Sequence, residues 1–374
     1  MKMGMSENRW QKENFVFRLK SPLHIGYIGY IPFKGPVVSP TRYYVPGRNF
    51  WGAVTKRITE HLCKVPEADD YKKIGKQVME NFRFSYFYLY DGKTIYLPHY
   101  TDKGMKYGDN KKKITKAEFE HRFIGSIVST GIDDKTKTAK DKSLHEIEFI
   151  NNRFRDENGD IKAVKIAGCI WIKKDAKIND KDFKIDNGIF IDDFNIISEL
   201  ILGGESKYGF GHVLLDLIDK VNFPLEYIMK SENHDEQCKG EVKIKCGKNK
   251  PLIAHLRYDR EINFEGEVEL LTGRGYYDPN KLKNSKNEKQ KFCMDSPSSE
   301  GKNNSTDDMN PGKVISRPVY YFSPGTVLKK IKEKTDEKLK KKTDEKQEEQ
   351  EESIICKLNW DGTLEECYNA NAPH

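Results

Sequence analysis

The strongest chemical signal in the sequence is Leu202–Val213, LGGESKYGFGHV, where Gly203, Gly204, Gly209 and Gly211 are interleaved with Lys207, Tyr208, Phe210 and His212. Glycine admits positive φ and lets another backbone come close. Basic and aromatic side chains on such a loop suit a sugar-phosphate chain, with main-chain N–H groups and lysine meeting phosphate while rings stack on bases. The competing reading is a tight turn that needs glycine for geometry alone. The phosphate-loop pattern G-x-x-x-x-G-K-[ST] is absent. The dinucleotide fingerprint is excluded too, because this loop is expected to leave a helix instead of entering one. On the phosphate reading, valine at Gly209 and Gly211 removes binding and leaves the fold largely intact.

A second group, Arg42, Tyr43, Tyr44, Arg48 and Trp51, lies before and at the start of an expected helix. Arginine supplies phosphate contacts, and exposed rings supply stacking platforms of about 1–3 kcal/mol per base. Some of Tyr43, Tyr44 and Trp51 must instead be core. Phe82, Phe84, Tyr86 and Tyr88 are expected on one face of a strand, either stacking bases or packing beneath helices. His24, in the run PLHIG, is a candidate general base, an RNA contact, or a positional residue at the end of the first strand. Capping of a helix explains Asp192 and Asp193. His234, Cys238 and Cys246 come nearest to a metal cluster but lack a second tight pair, so no metal or cofactor is expected. The seven cysteines are odd in number and widely spaced, which favours free thiols over a disulfide framework.

Periodicity gives the elements that must position these residues. Asn14–Lys20 alternates apolar and polar residues and reads as a strand. Phe50, Val54, Ile58 and Leu62 recur every four residues, a helix closed by Pro66. Phe82–Tyr90 is an aromatic strand, with Lys93–Pro98 pairing back to it. Leu144–Phe154 and Ile161–Lys173 read as strands, Ile191–Leu202 as a helix ending at Gly203-Gly204, and His212–Ile218 as a strand. Tyr100–Lys116 and Ser129–Lys142 are polar and read as loops, and Phe119–Val128 is an element of undetermined type. The order strand, helix, strand, strand, helix, strand is an α+β, ferredoxin-like (RRM-like) βαββαβ domain over residues 1–225, with an insertion around 100–160. Residues 239–374 form a second, smaller β-rich domain with a disordered insertion at 278–312 and a charged segment at 328–352.

The 374 residues include 65 Lys and Arg against 58 Asp and Glu, a formal charge of +7, and only 36% are hydrophobic. No apolar run approaches the ~18 residues of a membrane span. The N-terminal MKMGMSENRWQKENF has no apolar core of a secretory signal, so a cytoplasmic protein without a membrane partner is expected.

GGESKYGFGHV resembles the C-terminal glycine-rich loop of the RAMP superfamily, the repeat-associated mysterious proteins of CRISPR systems. LKSPLHIG at Leu19–Gly26 resembles the first-strand motif of its type III members, and VPGRNFWGAVTKRI at Val45–Ile58 its turn and first helix. STGIDDKTKTAKDKSLHEIEFI at Ser129–Ile150 resembles its loop and hairpin. The four motifs occur in the family's order; the C-terminal third matches none. The resemblance implies a ferredoxin-like RNA binder with a second, degraded RRM-like domain. One glycine-rich loop and a divergent C-terminal region look most like the handle-capping (Cas-five-like) group of type III or related class 1 effectors. The implied partners are the 5′ handle of crRNA, a backbone RAMP subunit and other effector subunits, with target RNA met indirectly. RNA contacts are implied at the glycine-rich loop, at His24 and at the Arg42–Trp51 group, and Ser129–Lys142 is expected as a thumb. Asp133 and Asp134 resemble the place where backbone subunits carry a loop. The alternative is therefore an endoribonuclease acting on pre-crRNA or target RNA, with Asp133 or His24 catalytic.

Overall fold

A computed structural model describes residues 9–27, 38–219, 221–225, 240–271, 319–330 and 353–367. The expected disordered insertion at 278–312, His234, Cys238 and residues 331–352 of the charged segment lie outside them.

The alternation read over Asn14–Lys20 belongs to a longer strand, Trp10–Leu19, at the centre of the main sheet. Phe15, Phe17 and Leu19 point into one hydrophobic core, while Trp10 and Val16 point into another on the opposite face. This strand pairs antiparallel with Lys165–Lys173 in one unbroken register, from Trp10 opposite Lys173 to Arg18 opposite Lys165. Across the sheet the order is Glu199–Ile201, His212–Leu215, Trp10–Leu19, Lys165–Lys173, the pair Phe82–Phe84 and Phe87–Tyr90, then Tyr44–Val45. All neighbours are antiparallel.

Helix Gly47–Leu62 forms as its four-residue repeat requires. Phe50, Val54 and Ile58 are fully buried, and the Phe50 ring stacks on Phe87 with centroids 3.9 Å apart. A second helix, Ala68–Asn81, follows at once and was not legible in the pattern. Its reciprocal Glu67–Asp70 capping box starts it, and only Ile74, Gly75 and Val78 are buried. Gly75 lets the two helices close up: Trp51 Nε1 donates to the Gly75 carbonyl at 3.0 Å, and a Cβ on residue 75 would stand 3.3 Å from the Trp51 ring.

The helix expected over Ile191–Leu202 is not there. Its place is taken by strands Ile189–Ile191, Phe194–Asn195 and Glu199–Ile201, the last forming the edge of the main sheet. Asp192 sits at φ 52° in the turn between the first two, so Asp192 and Asp193 turn a hairpin instead of capping a helix. The isoleucines that gave helical spacing are β-branched and favour strand. The molecule is thus mostly β, with three α-helices among the described residues, compatible with an α+β RRM-like fold but without the second crossover helix of the βαββαβ pattern. Tyr100–Lys116, expected as a loop, instead contributes to a small sheet of Leu97–Thr101, Gly104–Gly108 and Lys113–Thr115. Phe119–Val128 resolves into helix Lys116–Phe123 and strand Ile124–Ser129, which forms a hairpin with His145–Ile150.

The second half builds a six-stranded sheet ordered Lys243–Gly247, Ser353–Leu358, Leu364–Glu366, Leu256–Arg257, Val319–Phe322 and Val268–Leu271. Its apolar residues, including Ile244, Leu256, Phe322, Ile354 and Leu358, share one core with Tyr86, Tyr88, Tyr90 and Trp171 of the main sheet. Helices therefore cover one face of the main sheet and the second sheet covers the other. Phe82, Phe84, Tyr86 and Tyr88 do not share a face. At Ser85 the strand breaks, with Ser85 N donating to the Cys169 carbonyl and Cys169 N to Ser85 Oγ. Beyond the break the parity shifts, so Phe82 and Phe84 pack under the helices while Tyr86 and Tyr88 pack against the second sheet. Cys63, Cys169, Cys246 and Cys356 are free thiols as expected, whereas Cys367 is disulfide-bonded.

Candidate nucleic-acid interface

The glycine-rich loop joins two paired strands, since Ile201 lies opposite His212 at the sheet edge. Glu205 at φ 55° opens a single 3-10 turn, Ser206–Tyr208, and Gly209 at φ 83° closes it. The close approach that glycine permits is used within the chain. A Cβ on Gly203 would stand 2.2 Å from the His24 carbonyl oxygen, and one on Gly211 2.0 Å from that of Leu202. Gly204 N donates to the His24 carbonyl at 2.9 Å, Gly211 N to that of Pro22 at 2.7 Å, and His212 N to Ser21 Oγ at 3.0 Å. Tyr208 N and Gly209 N donate to the Glu205 and Ser206 carbonyls. These amides are therefore not available to an outside phosphate. The expectation that valine at Gly211 spares the fold is corrected, because that position has no room for a side chain. Gly209 has nothing within 4 Å of a built Cβ.

What the loop presents outward is side chain. Lys207 is exposed and Tyr208 is 77% exposed, side by side at the turn. Phe210 is half-buried against Phe149 of the neighbouring hairpin, centroids 5.3 Å apart, and His212 Nε2 meets Glu199 Oε1.

His24 holds the loop in place. It is 4% exposed, its Nδ1 lies 2.6 Å from the Glu148 carbonyl, and its own carbonyl accepts from Gly204. The neighbouring Ile25 N donates to Thr41 Oγ1 at 2.9 Å. Buried and committed, His24 fits the positional reading, with no open approach to its ring.

The Arg42–Trp51 group also turns inward. Arg42 makes a bidentate pair with Glu269 at 3.0 and 3.1 Å and donates to the Tyr44 hydroxyl at 2.8 Å. Burial disfavours the guanidinium charge, but Tyr44 and Glu269 more than reverse this and its pKa is raised. Glu269 also accepts from His255 Nε2, and the other ring nitrogen, Nδ1, lies 2.6 Å from the Tyr86 hydroxyl. Burial lowers the His255 pKa, so the ring is neutral; with its proton on Nε2, Nδ1 accepts from Tyr86. Burial alone would raise the Glu269 carboxyl, yet His255 and Arg42 hold it at about 2. Tyr44 stacks on Tyr86, and Tyr43 donates to Glu120 at 2.5 Å beneath Tyr107 and Phe119. Arg48 pairs with Asp361 at 3.2 Å and lies over the Trp360 ring, which Trp51 meets edge-on at 4.8 Å. Five residues expected at RNA thus have partners inside the chain, four of them joining the main sheet and first helix to the second sheet. Sequence reading missed His255, just before strand Leu256–Arg257, and Glu269, in strand Val268–Leu271, which stand at no diagnostic spacing.

Asp133 closes a turn. Its Oδ1 accepts from Lys135 N, Thr136 N and Thr136 Oγ1, and these bonds hold its carboxyl below its ordinary value. Among the described residues no group of three or more His, Cys, Asp or Glu side chains is arranged to hold a metal ion.

No protein-family model matches the chain, and no curated protein does. Solved chains similar to it come from the Type III-B Cmr-beta complex. One, from the complex bound to cognate target RNA, has a TM-score of 0.43 at 10% identity, covering 85% of this chain and 86% of that one. Another, from the apo state, has a TM-score of 0.33 at 11% identity, covering 56% of this chain and 98% of that one.

Proposed function

We propose that the chain is a non-catalytic subunit of a CRISPR RNA-guided effector of the RAMP superfamily, gripping the 5′ repeat-derived handle of crRNA and capping a filament of backbone subunits. The reading begins from the four motifs between Leu19 and Val213. The observation that carries it is the glycine-rich turn, anchored by internal hydrogen bonds to residues 21–24, that presents Lys207 and Tyr208 to solvent. Lysine neutralises a phosphate and the ring stacks on a base, so handle binding here works through side chains on a rigid turn and not through the glycine amides. The burial of His24 and the use of the Asp133 carboxylate within its own turn favour binding over cleavage.

The test is incubation of the purified chain with a repeat-derived RNA, with and without divalent metal. Binding without cleavage is expected. Lys207→Glu weakens it and lowers the salt slope by about 0.7, one phosphate contact on a single strand. Metal-dependent cleavage lost in Asp133→Ala would replace this reading with the endoribonuclease one.

A further inference from the structure

Beside the anchor of the glycine-rich loop lies a cleft of about 380 Å³ that no motif marks. Four cations line it, Arg18 and Lys20 from the end of the first strand and Arg153 and Lys162 from the hairpin Arg153–Ala163, and no carboxylate does. Lys162 is paired with Asp156 at 2.5 Å, whereas Arg18, Lys20 and Arg153 have no ion pair among the described residues. The frame is fixed. Asn152 Nδ2 donates to the Lys20 carbonyl, Leu19 N to that of Val164 and Val164 N to that of Asn152, each at 3.0 Å. Lys20 N donates to the His212 carbonyl at 2.8 Å, which ties the cleft to the end of the glycine-rich loop.

Unpaired like charges held around one concavity repel each other, and an anion relieves that cost. The only neutral polar side chain of the lining, Asn152, has its amide nitrogen committed to the Lys20 carbonyl, so the lining offers chiefly positive charge, which suits phosphate. Ile161, 63% exposed at the rim, offers an apolar surface to a ribose or base. We infer that this cleft takes backbone phosphates of single-stranded RNA without regard to sequence, as a second contact for the strand held by the glycine-rich loop. The inference rests on the RNA-binding reading above.

The experiment measures fluorescence anisotropy of the full chain with two probes of equal length, a repeat-derived RNA and an oligouridylate, across a salt series. In the double variant Arg18→Ala/Arg153→Ala the slope of log K against log salt falls by about 1.4, two contacts at about 0.7 each for single strands. Relative to 1 M salt that is about 25-fold weaker binding at 0.1 M. The loss is equal for both RNAs, with the thermal midpoint unchanged. Arg18→Lys/Arg153→Lys retains the wild-type slope, which separates charge from folding. If the double alanine variant keeps the wild-type slope while Lys207→Glu loses affinity, the cleft falls and the glycine-rich loop stands. Wild-type chain that binds neither RNA overturns both. Preference for polyglutamate over RNA, dependent on Arg18 and Arg153, would make the cleft a protein site and overturn the inference.

Discussion

Glu269→Gln tests how the two layers are held together. Glutamine keeps the shape and an acceptor oxygen but removes the charge that faces Arg42 and His255. The Arg42 side chain is 12% exposed and the Glu269 side chain 24%, so solvent screens neither fully. The Glu269 carboxyl is lowered from 4.5 to about 2 by the fold. At about 1.4 kcal/mol per unit this is about 3 kcal/mol of stability at neutral pH, in line with the roughly 3–5 kcal/mol lost when one partner of a buried pair is removed. Because the folded pKa is the lower one, the contribution is complete above about pH 4.5 and fades as pH falls toward 2. Urea unfolding followed by tryptophan fluorescence, from pH 7 down to pH 3, reads both parts. Wild type is expected to exceed the variant by about 3 kcal/mol at pH 7, and the gap to narrow below pH 4.5 to about half that at pH 3. Equal midpoints at pH 7, within the ~0.5 kcal/mol of a neutral surface change, would refute the reasoning. So would a gap that stays constant into acid.

Two glycines of the loop, on either side of Phe210, separate strain from collision. Gly209→Ala meets only the left-handed backbone penalty of about 1–2 kcal/mol, while Gly211→Ala adds a Cβ 2.0 Å from the Leu202 carbonyl oxygen. Thermal unfolding is expected to place the second variant several degrees below the first, and equal midpoints would show that the loop yields freely. Asp361→Ala removes the Arg48 ion pair together with the bonds from Thr363 N and Thr363 Oγ1. At about 1 kcal/mol per hydrogen bond, and more for the charged one, a loss of about 3 kcal/mol is expected in the unfolding free energy, read as a lowered midpoint. A midpoint like that of wild type would mean that the Trp360 turn docks by packing alone.

Local patterns were readable where one period decided the outcome. Alternation at Asn14–Lys20 found the central strand, and the Phe50–Leu62 repeat found the first helix. Ile197, Leu200 and Ile201 imitated a helical stripe, but the positive φ at Asp192 and the β-branched content turned that stretch into strands. Helix Ala68–Asn81 escaped because Ile74 and Val78 alone mark its buried side. The glycine-rich loop could be located by composition, yet its acceptors at Pro22 and His24 lie some 180 residues earlier. Arg42 and Arg48 posed the same difficulty, since their carboxylate partners are 227 and 313 residues away. Residue type shows that an arginine needs an acceptor; only topology shows whether that acceptor is phosphate or Glu269.

The same topology limits where an RNA strand could lie. An open RRM sheet offers its aromatic face to bases, but here Tyr86, Tyr88 and Trp171 are 2%, 0% and 0% exposed beneath the second sheet. Stripping that cover would uncover Leu256, Phe322, Ile354 and Leu358 as well. At about 1.5–3 kcal/mol for each large apolar side chain, the loss exceeds the roughly 1–3 kcal/mol that each stacked base returns. The hydrogen bonds from Tyr88 Oη to the Ile253 carbonyl and from Tyr86 to His255 would be lost too. On the proposed reading, RNA therefore runs along the rim, past Lys207 and Tyr208 and on to Arg18 and Arg153, while the sheet face remains core.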